Sequence, residues 1–175
     1  MNKFFVFIIA FFALSQVSYA QDKVFAKGDK VVSAGLGFVN TRYTGNGWRN
    51  TFPPISFTGE YGIVDGLIDG KASIGVGAEL GFAGVKYVDI ATYKYSVTKL
   101  GARGAFHYQF IDKLDTYAGL FLGYDIVSGN GIHAISEYDY DFYIGARYRF
   151  TNDFAFMAEI GSSISLFSIG VAYKF

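Results

Sequence analysis

The chain has 175 residues, of which 51% are hydrophobic, 19% aromatic and only 17% charged, so it has enough apolar material to form one ordered domain. Its 15 Lys and Arg residues balance 15 Asp and Glu residues, and the chain lacks the positive surplus that neutralises phosphates, so we expect no nucleic-acid partner. The absence of cysteine excludes disulfide scaffolds, thiolate metal sites and cysteine nucleophiles.

Residues 1–20 have the three-part layout of a secretory signal peptide. A positive charge at Lys3 precedes the apolar run Phe4–Leu14, and small residues lead up to Ala20. The run is about half the roughly 20 residues that a helix needs to cross a bilayer. We therefore expect cleavage after Ala20 and a single mature domain over residues 21–175.

Large apolar residues recur at every second position along the mature chain, which is the period of a β-strand. In the first segment, for example, Val32, Leu36 and Phe38 alternate with Ser33 and Gly35. Most segments are about as long as the roughly 9 to 11 residues that a tilted membrane strand needs. The eight predicted strands are Val32–Phe38, Ile55–Ile63, Ala72–Phe82, Lys99–Phe110, Ala118–Ile126, Glu137–Phe150, Phe154–Gly161 and Phe167–Phe175.

The predicted connections alternate between long and short. Long loops are expected over 40–53, 83–94 and 128–136, and short turns over 64–70, 111–114 and 151–153. Long loops at one rim and short turns at the other are typical of an outer-membrane barrel, with the short turns in the periplasm.

The same period also fits a soluble eight-stranded barrel of the lipocalin or streptavidin type, whose apolar face points inward. However, the apolar set holds more Phe and Tyr rings than eight strands can enclose, whereas the alternate set is mainly Gly, Ser and Ala. Rings also cluster at predicted strand ends, as in the interfacial girdles of membrane barrels. We therefore predict an all-β protein, an eight-stranded antiparallel up-and-down transmembrane β-barrel.

The last predicted strand, over Ser168–Phe175, ends on an aromatic residue. With the N-terminal leader and the eight alternating segments, it resembles the small outer-membrane β-barrel proteins of the OmpA-like and OmpX-like kind. The resemblance implies the outer membrane of a Gram-negative bacterium, in contact with its lipid and lipopolysaccharide. It further implies that Phe175, with Tyr173 two positions before it, is the signal that the outer-membrane assembly machinery recognises.

Several charged residues fall on the inward-facing set, where an unpaired charge is costly. Pairing across neighbouring strands brings Glu79 near Arg103, and Arg147 lies diagonal to Glu159. This cluster either fills a mostly occluded lumen or forms a gate for ions or small solutes. A wide pore is excluded, because eight strands leave room for little more than side chains. The predicted lumen ion-pair cluster comprises Glu60, Glu79, Arg103, Arg147, Arg149 and Glu159.

A lipid-modifying enzyme is the third interpretation. Barrels of that kind need a nucleophile, a histidine and an acid together at one rim. His133 lies near Ser128 and Ser136, so spacing alone allows a triad, but we interpret this histidine as a solvated loop residue. We therefore expect no catalytic, cofactor or metal residues. Glu137, Asp139 and Asp141 alternate along one predicted strand and could attract a cation such as calcium at the extracellular mouth. We interpret them instead as solvated charges at that rim.

Binding to an unidentified surface ligand or envelope-complex partner is expected in the long loops, because the lumen and lipid faces are already committed. Their aromatic and basic residues suit glycans, proteins or lipid phosphates, and also the membrane interface. The candidate surface contacts are Arg42, Trp48, Arg49, Tyr87 and Tyr93. The sequence therefore favours a structural or surface-interaction protein over a channel or an enzyme.

Overall fold

The computed structural model describes residues 23–41, 45–89, 92–130 and 132–175, with 132 and 133 described as backbone only. The predicted leader and Arg42 lie outside these ranges. Within them, no helix is long and apolar enough to cross a membrane. The strands are β1 (Lys30–Gly37), β2 (Trp48–Leu67), β3 (Ala72–Val88), β4 (Thr92–Ile111), β5 (Leu114–Gly129), β6 (Ile132–Arg149), β7 (Phe154–Gly161) and β8 (Phe167–Lys174).

The eight strands form a closed barrel in chain order, in which every neighbouring pair is antiparallel. Closure is made by β1 and β8, whose register places Val32 opposite Tyr173 and Ala34 opposite Val171. Closing the sheet removes the edge strands whose backbone groups would otherwise lack partners in lipid. The predicted all-β, up-and-down architecture is confirmed.

The two faces of the strands differ as the alternation predicts. On β1, Val31 and Ser33 are buried, whereas Val32 and Leu36 point outward and are exposed. An apolar exterior is incompatible with a soluble barrel that encloses its apolar face, and it requires an apolar surrounding. The exposed exterior residues include Phe57, Val76, Leu80, Leu100, Phe106, Leu120, Leu122, Phe142, Ile144, Phe156, Ile160, Ile169 and Val171.

The predicted long loops are mostly wrong, because strands continue through them. Only three residues separate β3 from β4, and the cross-strand pair Tyr87 and Tyr93 extends that hairpin. β2 begins at Trp48, ahead of register shifts between Asn50 and Ile55 that break the alternation on which the prediction depended. As a result, β2 to β6 project beyond β1, β7 and β8 at one end of the barrel.

The two ends of the barrel carry different connections. The short-turn rim carries the turns at 68–71, 112–113 and 150–153, together with the start of β1 and the end of β8. The far rim carries the connections 38–47, 89–91, 130–131 and 162–166.

Gly77 allows β2 and β3 to approach closely, because a Cβ at this position would overlap the carbonyl oxygen of Gly59. Gly104, by contrast, has open space around its Cβ position. We expect Gly77→Val to destabilise the barrel by about 2 kcal/mol or more, since the clash is with backbone that cannot yield. Gly104→Val should cost much less.

Urea unfolding of both variants in lipid vesicles measures this difference in stability. Heat-modifiable gel migration reports the folded fraction at each urea concentration. Equal stability of the Gly77 and Gly104 variants would show that the observed β2–β3 register is incorrect.

Candidate functional site: the charged barrel lumen

A three-way ion pair crosses the middle of the lumen. Arg103 on β4 contacts Glu79 on β3 at 3.0 Å and Glu159 on β7 at 2.7 Å. Its guanidinium also lies 3.7 Å from the ring centroid of Tyr143, and Tyr117 Oη donates a hydrogen bond to Glu159 at 3.1 Å. One cation therefore compensates the buried Glu79 and the mostly buried Glu159, and it joins β3 and β4 to the opposite wall.

A second cluster lies nearer the short-turn rim. Arg147 on β6 reaches across the lumen to Glu60 on β2 at 2.5 Å and approaches Asp115 on β5 at 3.5 Å. His107 lies between the same two carboxylates, with Nε2 2.8 Å from Glu60 and Nδ1 2.9 Å from Asp115. Because both ring nitrogens are engaged, this histidine has none left to activate a hydroxyl nucleophile.

A third cluster lies nearer the far rim, around the fully buried Lys99. Its ammonium contacts Asp139 and Asp141 on β6, lies 3.8 Å from Asp125 on β5, and lies 4.3 Å from the ring centroid of Phe121. The interpretation of Asp139 and Asp141 as solvated mouth charges is therefore wrong. Both carboxylates point inward and are buried against a cation.

The structure brings together five of the six residues of the predicted lumen cluster, although not always in the predicted pairs. Arg147 does lie opposite Met157, but its carboxylate partners are Glu60 and Asp115 rather than Glu159. Arg149 instead donates a hydrogen bond to the carbonyl oxygen of Val24. The predicted cluster omits Lys99, His107, Asp115, Asp125, Asp139 and Asp141, all of which occupy inward positions that strand alternation identifies.

The segment before β1 folds into the short-turn end of the lumen. Phe25 is buried and stacks on His107 with ring centroids 4.1 Å apart. Its carbonyl oxygen accepts a hydrogen bond from Ser73 at 3.0 Å, and the Val24 amide donates to Gln109 at 3.0 Å. These contacts place an apolar ring directly beneath the cluster that contains Arg147.

The β7–β8 connection folds into the lumen from the far rim. Ile164 is buried against Ala83 and Val97, and the Ser163 hydroxyl donates to Glu79 at 2.8 Å. Thr41, which follows β1, donates to the Ser163 carbonyl at 2.5 Å and thereby ties the two connections together. The charged clusters are thus bounded at both ends by segments of the same chain.

The candidate surface residues within the described ranges lie on strands rather than in loops. Trp48 and Arg49 begin β2, Tyr87 is near the end of β3, and Tyr93 is near the start of β4. The Trp48 ring contacts Tyr87, with centroids 5.1 Å apart. These residues form part of the projecting sheet at the far rim, and the prediction that they lie in long loops is wrong.

The last two aromatic residues of the chain, Tyr173 and Phe175, lie on the exterior at the short-turn rim. Tyr173 packs against Phe154 with centroids 4.9 Å apart and against Phe175 at 6.0 Å. Rings concentrated at the edge of an apolar exterior are typical of the interfacial girdle of a membrane barrel. Within the part of the chain that the structure describes, no group of three or more His, Cys, Asp and Glu residues is arranged to hold a metal ion.

No family model and no curated protein matches the chain. Solved structures do. The attachment invasion locus protein Ail of Yersinia pestis, solved in complex with the heparin analogue sucrose octasulfate, is similar with a TM-score of 0.53 and 12% identity, over 85% of this chain and 99% of that one. OprG of Pseudomonas aeruginosa gives a TM-score of 0.49 and 12% identity over 88% and 99% of the two chains. A de novo designed transmembrane β-barrel gives 0.48 and 18% over 86% and 98%.

The likeness to Ail shows that this chain has the fold of the small outer-membrane β-barrels, as the resemblance to the OmpA-like and OmpX-like kind implies. Independently of any likeness, the exterior of the barrel is apolar and bordered by rings. Fold and exterior together define an integral membrane β-barrel protein. The candidate functional site of this barrel is therefore its charged lumen rather than a cleft on its surface.

Replacing Arg103 with Gln leaves Glu79 and Glu159 without their cation in a buried site. Removing one partner of a buried ion pair costs about 3–5 kcal/mol, and we expect a loss of this size. Lys174→Gln is the matched control, because the Lys174–Asp29 pair at the short-turn rim is more exposed and should contribute about 1 kcal/mol or less.

Urea unfolding in lipid vesicles measures both variants. Adding Glu79→Gln and Glu159→Gln to Arg103→Gln should restore much of the lost stability, since no uncompensated charge is then left. A cost for Arg103→Gln no larger than that for Lys174→Gln would contradict the three-way pair.

Proposed function

We propose that the protein is an outer-membrane barrel with a structural or surface-interaction role, and that its lumen is closed to solutes. The observation that supports the proposal is a series of side-chain contacts at successive levels of the lumen. Three clusters of charged side chains, centred on Lys99, Arg103 and Arg147, lie between the inserted segments at Phe25 and Ile164. An interior of eight strands has room for side chains but little more.

The contacts that fill the lumen are strong enough to keep it closed. Each cation bridges carboxylates from different strands, and separating such buried groups without a new partner is costly. Opening a path would require all three clusters to break and Phe25 to leave His107. We infer that the resting barrel does not conduct.

The surface-interaction role is supported by the projecting strands at the far rim. They present Trp48, Arg49, Tyr87 and Tyr93 beyond the height of β1, β7 and β8. Rings and cations on a rigid sheet are better positioned for binding than the same residues in loops. In the same proposal, residues 21–175 form the mature domain after export, and Tyr173 with Phe175 is the signal for barrel assembly.

Planar-bilayer recording tests whether the lumen is closed. The refolded wild-type chain should show no conductance above background, whereas the combined variant Phe25→Ala, Lys99→Ala, Arg103→Ala, Arg147→Ala should show small, discrete openings. Those openings should favour cations, because carboxylates outnumber cationic side chains in the three clusters.

Lys30→Ala is the control for this recording, because Lys30 lies on the exterior at the short-turn rim and contacts the Phe175 ring rather than the lumen. Heat-modifiable gel migration establishes that every variant is folded before it is recorded. Discrete channels from the wild-type barrel would overturn the closed lumen and favour the alternative of a narrow channel for ions or small solutes.

A further inference from the structure

Three cationic residues form a single row across the projecting sheet. Arg49 on β2 lies directly opposite Lys86 on β3, and Lys86 lies directly opposite Lys94 on β4. Directly opposed residues share one face of a sheet, with Cβ atoms about 5 Å apart. The row therefore places three positive charges side by side.

This row is on the outside of the barrel. Lys86 has the same strand parity as Leu80 and Phe82, whose side chains belong to the lipid-facing exterior, while the intervening Val85 is fully buried. Lys86 is six residues from Leu80, or about 20 Å along the strand. Strand tilt reduces this to roughly 15 Å of depth, which is about half the hydrocarbon thickness of a bilayer.

The three charges have no compensation from the described part of the chain. No described residue forms an ion pair with Arg49, Lys86 or Lys94, although the exposed Asp89 follows β3 closely. Like charges directly opposite each other on a sheet destabilise it. A row of this kind is relieved by an external anion.

An apolar groove on the exterior begins below the row on β2–β4 and continues across β1 to β7 and β8. It has a volume of about 770 Å³ and is lined in part by Phe57, Gly59, Ala78, Leu80 and Leu100. Its floor is formed by small residues, since Gly59 lies opposite Ala78 and a Cβ added to Gly59 would meet nothing within 4 Å. The groove is thus a depression between large exterior side chains such as Phe57, Leu80 and Leu100.

We propose that the β2–β4 face is a binding site for one anionic, phosphate-bearing lipid of the outer leaflet. Its phosphate lies on Arg49, Lys86 and Lys94, and an acyl chain lies in the groove beneath. The inference rests on the proposed outer-membrane location and extends it by naming the lipid class and the site. A soluble polyanion would engage the cations but leave the groove without a role.

The single tryptophan of the sequence, Trp48, adjoins Arg49 and provides the readout. The folded barrel is inserted into phosphatidylcholine vesicles that contain a trace of either phosphatidic acid or phosphatidylcholine with a dansyl-labelled chain. Energy transfer from Trp48 reports how strongly each labelled lipid is enriched beside the protein. We expect phosphatidic acid to be enriched at least about tenfold, since each cation near a membrane surface contributes about fivefold.

The combined variant Arg49→Gln, Lys86→Gln, Lys94→Gln should abolish the enrichment. The matched control Lys30→Gln, Lys71→Gln, Lys113→Gln removes the same charge at or near the short-turn rim and should retain it. Ala78→Phe fills the groove and should reduce enrichment several-fold while the cations remain.

Three results would overturn the site. They are equal enrichment of both lipids, equal effects of the two charge variants, or displacement of the lipid by a soluble sulfated polysaccharide at constant salt. Excess inorganic phosphate should not displace it. Failure of the proposed function would show differently, as lack of heat-modifiable migration in plain phosphatidylcholine or as fractionation outside the outer membrane, so the two failures are distinguishable.

Discussion

The structure depends on one constraint, that every backbone amide and carbonyl must have a partner in a surrounding that offers none. The pairing of β1 with β8 meets it by closing the ladder. Once the sheet is closed, the period of two assigns alternate residues to lipid and to the lumen. The apolar exterior and the charged interior are therefore two consequences of a single choice of face.

Pointing the charged face inward is costly, because carboxylates in the lumen are removed from bulk water. The chain meets it with cations that each bridge several acids, as Arg103 does for Glu79 and Glu159. Aromatic rings lie against the cations and fill the space beside them, as Tyr143 does over Arg103. Such a network favours one arrangement of the strands over others, since a shifted register would separate its members.

The fold was predictable from the sequence because alternation is a local property that survives in nearly every segment. Strand ends were not, because the register shifts near Phe52 interrupt the alternation while the backbone ladder continues. Among the lumen contacts, Glu79 with Arg103 follows from neighbouring strands. Arg147 with Glu60 joins strands on opposite walls, and that contact depends on the stagger of the whole barrel, which no single segment encodes.

The exterior differs from one side of the barrel to the other. On β2–β4 the exterior carries Arg49, Lys86 and Lys94, whereas on β5–β6 it carries the contacting rings of Tyr124 and Tyr138, with centroids 5.7 Å apart. A barrel that only filled space in a membrane would gain nothing from this asymmetry. Because the lumen residues are occupied with one another, the features left free to distinguish one neighbour from another are on the exterior, and they give the barrel a basic side and an aromatic side.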